Sequence, residues 1–341
     1  MQTRLAFCAG WAHPRLLECE EAGMVRSDTK ATWPALPYEE WRQTAATLHL
    51  WLQIVGKIRL ALAPWVNHSW HVTMRVSARG LTTPLTPYGS GAFQIELDFI
   101  DHQLSIRLTD GRVKALALEP QTTAAFHATL MRALAELGMP VAIRTMPSEL
   151  PDPIPFDLDE VHRSYDPEYA NRYWRVLVQV ARVFEQFRAG FLGKSSPVHF
   201  FWGSADLAVT RFSGRPAPPH PGGVPHLPDW VAREAYSHEV SSAGFWAGAD
   251  QHPRAVFYSY AYPEPAEYAR ARPAPAAAYY DEALREFVLP YDDVRTASVP
   301  DAALLEFLES TYEAAARLGE WNRAELERPA GWPRSAHSTL R

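Results

Sequence analysis

The chain has 341 residues, a net charge of -6, an apolar fraction of 47% and an aromatic fraction of 12%. These values are typical of a globular protein with a sizeable core, and they exclude an intrinsically disordered chain. Acidic and basic residues are mixed along the sequence without a basic run or a zinc-finger spacing, so no nucleic-acid partner is predicted.

The two cysteines, Cys8 and Cys19, exclude a disulfide framework and favour a reducing, cytoplasmic location. No apolar run reaches the ~20 residues of a membrane helix, so no membrane partner is predicted. Residues 1–30 are interpreted as a disordered leader. The alternatives are a short signal peptide around residues 5–12 and a true start at Met24.

The patterned sequence begins with a long helix over residues 38–63, which Pro64 ends. Residues 70–79 then alternate between apolar and polar side chains, which predicts a half-buried strand. Residues 80–91 are rich in Thr, Pro and Gly and are interpreted as a loop.

An antiparallel meander follows, because three alternating segments are separated by turn residues such as Asp110-Gly111. Gly138 marks the end of the next helix, and residues 146–156 carry four prolines and are interpreted as a connector between two halves. The predicted elements are strands 92–99, 104–108 and 113–118, helix 122–137 and a short strand at 141–145.

The second half opens on Asp166-Pro167-Glu168, a favourable helix start with a capping carboxylate and a proline at the first helical position. A long loop at residues 213–229 is dense in Pro, Gly and His. The predicted elements are helix 166–191, strands 198–202, 205–212, 235–242, 255–262 and 284–289, helix 301–318, and a frayed tail at 326–341.

The order of elements is nearly the same in residues 33–150 and 151–325. We therefore predict the α+β class: one compact body made of two similar helix–antiparallel-sheet–helix halves. Two explanations stay open, an internal duplication of an α+β unit and an ordinary α+β protein whose elements happen to alternate.

Candidate chemistry is concentrated in the second half. His238 and His220 are the predicted acid–base groups, with Glu239 to orient one of them, because histidine exchanges protons near neutral pH. Adjacent strand residues point to opposite faces, so His238 and Glu239 share a pocket only if a bulge intervenes. The predicted ligand-binding residues are Arg211, His199, Trp202, Tyr236, Tyr258 and Tyr260.

A metal site is weighed and not predicted. His220, His226 and His238 are spaced too irregularly for a recognised ligand pattern, and His68 and His71 lie three residues apart around a tryptophan. The blander interpretation is that these histidines are satisfied structural residues and that most of the aromatics form core. No cofactor is indicated by any motif.

Long segments of the chain resemble an uncharacterised bacterial family known only as a domain of unknown function (DUF5996). The resemblance covers about residues 33–318, and it implies no activity and no residue roles. Ala247 departs from the proline expected in an FWPG-like turn. The segments are WPALPYEEW, TLHLWLQIVGKIRLALAPWVNHSW, ARGLTTPLTPYGS, PDPIPFD, SPVHFFWGSADLAVTRFSGR, APPHPGG, EAYSHEVSSAGFW and YSYAYPEP.

These features favour a protein that binds a small molecule in an aromatic-lined pocket of the second half. It would act as an enzyme if His238 serves as acid or base and Arg211 holds an anion. The alternative is a non-catalytic protein–protein interaction module with an exposed apolar patch. The sequence identifies neither the ligand nor the oligomeric state.

Overall fold

The computed structural model describes residues 32–329, so the predicted leader at residues 1–30 lies outside the described part. In the first half a long helix precedes an antiparallel sheet and a shorter helix follows it. The elements are α1 (Tyr38–Leu62), β1 (Arg75–Val76), β2 (Gly80–Thr82), β3 (Thr86–Tyr88), β4 (Gly91–Asp98), β5 (Gln103–Leu108), β6 (Val113–Ala117) and α2 (Thr123–Glu136).

The second half also combines helices with an antiparallel sheet, and it has longer strands and more helices. Its elements are α3 (Pro167–Ala189), β7 (His199–Phe201), β8 (Asp206–Pro216), α4 (Asp229–Ala235), β9 (His238–Trp246), β10 (Val256–Tyr262), β11 (Tyr279–Asp281), β12 (Glu286–Pro290), α5 (Tyr291–Arg295), α6 (Pro300–Leu318) and α7 (Arg323–Leu326).

Two six-stranded sheets form the framework, and every strand pair in them is antiparallel. The first has the order β1-β2-β4-β5-β6 with β3 beside β4, and the second has the order β11-β12-β10-β9-β8-β7. Met74 and Phe200 exchange two backbone hydrogen bonds of 2.9 Å, which joins the sheets edge to edge. The predicted α+β class is confirmed, whereas an origin by duplication stays a prediction.

Helix starts follow from the capping chemistry. The Asp166 carboxylate accepts hydrogen bonds from the backbone N–H groups of Glu168 and Tyr169, and Pro167 occupies the first turn of α3. The Thr122 hydroxyl accepts from Ala125 N at the start of α2. These side chains satisfy backbone donors that have no partner inside the helix.

The predicted strand at residues 70–79 is wrong over most of its length. His68 and Ser69 both have left-handed backbone angles, and the following residues form a turn before β1 begins at Arg75. His71, Val72 and Thr73 are all buried, so the alternation of polar and apolar residue types does not correspond to two faces here. The buried Thr73 hydroxyl is satisfied within the turn, because its Oγ1 donates to Trp70 O at 3.1 Å.

Other boundaries also differ from the predictions. The predicted loop 80–91 contains β2 and β3, which pair with β4, while residues 141–145 form no strand. The predicted strand 235–242 begins only at His238, because α4 occupies the preceding residues. The predicted tail at residues 326–341 is wrong at its start, because Glu327 pairs with Phe191 and Arg328 N donates to Gly190 O at 3.1 Å. Residues 330–341 lie outside the described part.

The two faces of the second sheet are covered differently. Helices α3 and α6 pack on one face, where Phe245, Phe257 and Leu289 are fully buried. The opposite face is approached by the connector around Glu149 and by the loop between β8 and α4. Strand alternation therefore sends every second side chain of β8, β9 and β10 towards these irregular segments.

No helix among residues 32–329 is both long and apolar enough to cross a bilayer.

Candidate functional site

Acidic and phenolic side chains converge on the sheet face that α3 and α6 leave uncovered. The register places Tyr258, Gly244 and Ala208 in one cross-strand row, with Asp206 one row away on β8. Glu149 reaches the same place from the connector. We call this set the phenol–carboxyl recess; its members are Glu149, Asp206, Tyr236, Tyr258, Tyr260 and Glu286.

Hydrogen bonds link the phenols to one another and to Asp206. The Tyr258 hydroxyl donates to Asp206 Oδ2, and Ser204 Oγ donates to Asp206 Oδ1 at 2.5 Å. The hydroxyls of Tyr236 and Tyr260 are 2.7 Å apart. The rings of Tyr258 and Tyr260 are nearly parallel, with centroids 6.2 Å apart. Asp206 is 6% exposed, whereas the three phenols are only half-buried, as expected for the floor and walls of a recess.

Gly244 allows Tyr258 to lie across the sheet. A Cβ atom at this position would lie 2.2 Å from the Tyr258 hydroxyl, well inside contact distance. Any larger residue would therefore displace the phenol from Asp206. Gly244 thus has a packing role next to the recess.

Glu149 enters the recess in a strained conformation. Its φ angle is +64°, in the left-handed region that non-glycine residues adopt at a cost of ~1–3 kcal/mol. Its backbone N–H donates to Pro225 O at 2.9 Å, which ties the connector to the loop after β8. Its carboxyl group lies against Gly203, where a Cβ atom would be 1.9 Å from Oε1. The glycine therefore lets this carboxyl approach the β7–β8 turn that carries Asp206.

A row of polar side chains on α1 holds the connector at Ser148 and the β7–β8 turn at Gly203. Gln53 is fully buried; its Oε1 accepts from Ser148 N at 2.8 Å, and its Nε2 donates to Ser148 O at 2.9 Å and to Gly203 O at 3.3 Å. One turn earlier, His49 Nε2 donates to Gly203 O at 2.8 Å. One turn later, Lys57 Nζ donates to Ser148 Oγ at 3.0 Å. The i, i+4, i+8 spacing places all three on one helix face.

Burial perturbs the ionisation of the groups in and beside the recess. It raises the pKa of Glu149 to about 7, with Asp206 acting in the same direction and Lys57 opposing it. It raises the pKa of Glu286 to about 8, again reinforced by Asp206. Burial also raises the pKa of Asp206, but the hydrogen bonds from Ser204 and Tyr258 act against this. The pKa of Lys57 is lowered by burial, to about 8.

Replacing Gln53 by leucine is expected to lower the free energy of unfolding by about 2–4 kcal/mol. The substitution leaves the buried N–H and C=O of Ser148 without partners, and such orphaned groups cost ~1–3 kcal/mol each. Urea denaturation measures the change. Gln43→Leu is the matched control, because Gln43 is exposed on the same helix. An equal loss in both variants would contradict the role assigned to Gln53.

The structure brings together four of the residues predicted from the sequence. Tyr258 and Tyr260 line the recess from β10, and Tyr236 reaches it from the end of α4. The His220 ring stacks on Tyr236 with centroids 4.7 Å apart and lies 5.2 Å from the Tyr262 ring. Burial lowers the pKa of His220, so this imidazole is favoured in its neutral form at the rim.

Three other predicted residues lie elsewhere. Arg211 is 2% exposed on the helix-covered face, with its guanidinium 3.4 Å from the Phe187 ring centroid. Glu239 accepts hydrogen bonds from Ser213 and Arg215 on that same side of the strand. Trp202 packs against Gly56 of α1, and its indole N–H donates to Val72 O at 2.9 Å.

His238 and His199 share the uncovered sheet face but stand apart from the phenols. The His238 ring centroid is 6.2 Å from that of His68, at the other end of β8 and β9. His199 is fully buried, and neither of its ring nitrogens has a hydrogen-bond partner. Burial, Arg75 and Arg188 lower the pKa of His199 to about 3, so its ring is neutral.

Metal ligation finds no support in the part of the chain that the structure describes. Within residues 32–329, no three or more His, Cys, Asp or Glu side chains are grouped so that they could hold an ion. His226, one of the histidines weighed for such a site, has a left-handed φ of +53° in the loop after β8.

The comparisons with known proteins agree with the resemblance drawn from the sequence. The model of a family of unknown function (DUF5996) matches residues 33–328. No curated protein and no solved structure matches the chain.

Proposed function

The chain belongs to the DUF5996 family of unknown function, and from the geometry of the phenol–carboxyl recess we propose that it binds a small molecule there and acts on it by acid–base chemistry. The observation that carries the proposal is the hydrogen bond from Tyr258 to Asp206, which lies beside another carboxyl group, that of Glu149.

The two carboxyl groups have different environments, which suits opposite roles. Burial raises the pKa of Asp206, but this carboxyl accepts hydrogen bonds from two hydroxyl groups, which oppose that shift and favour its ionised form, so we assign it as the base. Glu149 lies against Gly203 and has no ion pair within 4 Å among residues 32–329, so we assign it as the acid. Environments that separate two titratable groups in this way are typical of acid–base pairs in active sites.

The walls of the recess indicate the kind of ligand. The near-parallel rings of Tyr258 and Tyr260 offer flat apolar surface, and three carboxyl groups offer hydrogen-bond acceptors. A ligand with a planar or apolar body and several hydrogen-bond donors fits this combination. His220, stacked on Tyr236, stands where the loop after β8 meets the rim.

Thermal-shift screening of a metabolite library tests the proposal, because a ligand that binds only the folded state raises its stability by mass action. We expect at least one ligand to stabilise the wild type and to lose tenfold or more in affinity in Asp206→Asn and Tyr258→Phe. Tyr279→Phe is the matched control, because Tyr279 is an exposed phenol on β11 of the same sheet. The proposal fails if no stabilising ligand loses more affinity in Asp206→Asn or Tyr258→Phe than in Tyr279→Phe.

A protein–protein interaction module is the second candidate. The observation that favours it is an exposed aromatic pair: Trp65 is 42% exposed, Trp230 is 54% exposed, and their ring centroids are 4.7 Å apart. Loss of a co-purifying partner in Trp65→Ala/Trp230→Ala, with ligand binding in the recess unchanged, would support this candidate over the first.

A further inference from the structure

A second group of polar side chains occupies the junction of the two halves, outside the phenol–carboxyl recess. We call it the basic corner, and it consists of His68, Lys194 and His238. His68 follows α1, Lys194 precedes β7 and His238 begins β9. The corner lies at the Phe212 end of β8 and the His238 end of β9, whereas the recess lies at the other end of these two strands, beside Asp206.

The hydrogen bonds of His68 define its protonation. Its Nδ1 lies 2.8 Å from Ala235 O and donates to it, which leaves Nε2 as an acceptor. Lys194 Nζ lies 2.7 Å from this Nε2 and is therefore the donor. Burial, with Lys194 and His238 adding to it, lowers the pKa of His68 and keeps the ring neutral. The positive charge of the pair therefore stays on Lys194.

Lys194 is an exposed side chain whose ammonium makes no direct contact with a carboxylate of the described residues. Among residues 32–329, no carboxylate oxygen lies within 4 Å of Lys194. The Glu234 carboxylate lies in the corner and favours the charged form of Lys194 without pairing with it directly: its Oε2 accepts from the backbone N–H of His68 at 3.2 Å and from Trp65 Nε1 at 3.4 Å. The ammonium instead faces the rings of Trp70 and Phe212, at 5.4 and 4.8 Å from their centroids.

Two further observations mark the corner as a site and not as ordinary packing. His68 and Ser69 are consecutive non-glycine residues with left-handed φ angles of +59° and +57°, a conformation that persists only where the surroundings impose it. The hydroxyl of Ser69 is also buried without a hydrogen-bond partner. On the adjoining strands the register shifts between Phe212 and Pro216, and such bulges are frequent beside functional sites.

From this arrangement we propose that the basic corner binds an organic carboxylate, with the Lys194 ammonium and the His238 imidazole holding the carboxylate and Trp70 contacting the apolar part of the ligand. Lys194 has donors left after its bond to His68, and His238 uses only Nδ1, which lies 3.1 Å from Ser237 Oγ. A carboxylate placed between them receives charge-assisted hydrogen bonds, and the partly exposed Trp70 ring offers flat apolar surface.

Isothermal titration of the full chain with benzoate, benzamide and inorganic phosphate at pH 7 and fixed salt tests this proposal. Benzoate is expected to bind saturably, and benzamide, which has the same shape without the charge, at least tenfold more weakly. Lys194→Met should raise the Kd for benzoate at least tenfold, and His238→Gln should raise it severalfold. Lys114→Met is the control and should change it less than twofold, because Lys114 pairs with Glu136 on the first sheet.

The proposal is overturned if benzoate does not bind, or if the affinities of wild type and Lys194→Met are equal while both are folded by circular dichroism. Binding of phosphate but not of benzoate overturns the assignment of a carboxylate. His238→Gln keeps the test decisive if Lys194→Met does not fold. The recess variants Asp206→Asn and Tyr258→Phe should bind benzoate like the wild type, so failure of the proposed function and failure of this site are distinguishable.

Discussion

Replacing Gly56 by alanine is expected to lower the free energy of unfolding by roughly 2–3 kcal/mol, although alanine favours a helix by ~1 kcal/mol over glycine. Gly56 is in the interior of α1, and the Trp202 indole lies directly on it. A Cβ atom there would be 2.3–2.4 Å from three atoms of the ring. The ring is 6% exposed and its N–H is bound to Val72 O, so it has little freedom to move away. Urea denaturation measures the loss.

A double-mutant cycle isolates the cause. In a Trp202→Ala background the steric conflict is absent, so Gly56→Ala should be neutral or stabilising by up to ~1 kcal/mol through helix propensity alone. Gly56→Ala therefore lowers the free energy of unfolding in the wild-type background but leaves it unchanged or raises it in the Trp202→Ala background. An equal loss of stability in the wild-type and Trp202→Ala backgrounds would show that α1 needs a glycine at position 56 for another reason. Trp202 would then lose its assigned packing role and would again be a candidate ligand-binding residue.

Much of the framework follows from local signals in the sequence. Helix α3 begins where Asp166 and Pro167 predict it, and α1 ends at Leu62, two residues before Pro64. The alternation in β4, β5 and β10 is correct because each of these strands has one face against a core. Prediction failed at residues 70–73, where the alternating pattern lies in a turn with both kinds of side chain buried. Burial there depends on contacts with Phe200 and Trp202 from the other half, which no local pattern reveals.

The candidate site was predicted only in part, and for a related reason. The phenols of β10 were found because alternation places them on one face. Glu149 was missed because it lies in an irregular connector, and Asp206 because the acid follows a turn and resembles any surface aspartate. One signal was available: His49, Gln53 and Lys57 recur every four residues within residues 48–58 of α1, which otherwise contain only apolar residues and one glycine. Buried polar groups at such a spacing indicate that a partner segment is being held.

Arg211 shows how the face of a strand bears on a prediction made from residue type. A lone arginine on a strand next to a histidine-rich loop suggested an anion anchor. Its strand position sends it to the face covered by α3 and α6, where its guanidinium lies over the rings of Phe187, Phe191 and Tyr312 and donates to Phe187 O. Residue type indicated charge recognition, whereas the face of the strand determines that this charge stabilises the packing of two helices.

The contribution of Glu149 to the free energy of unfolding is expected to fall as the pH rises from about 4.5 to 7, and Glu149→Gln should remove that fall. Buried histidines with lowered pKa values, such as His199, act in the opposite direction, so the effect is read from the difference between wild type and variant. The pKa of Glu149 is about 7 in the folded protein against an ordinary value of 4.5. Below pH 4.5 the carboxyl is protonated in both states and contributes no difference. Between these values the folded state keeps a proton that the unfolded state releases, so stability decreases through this window, by up to about 3 kcal/mol.

Urea denaturation of wild type and Glu149→Gln at intervals between pH 4.5 and 8.5 measures this effect. The variant should gain stability relative to the wild type as the pH rises, and Glu286 should leave a residual pH dependence, because its pKa is raised to about 8. Glu306→Gln, at an exposed position on α6, is the control and should run parallel to the wild type. Parallel curves for Glu149→Gln would mean that Glu149 is not held protonated beside Asp206, and its assignment as the acid of the recess would fail. A ligand that ionises Glu149 on binding should in turn release a proton, and titration in buffers of different ionisation enthalpy would detect it.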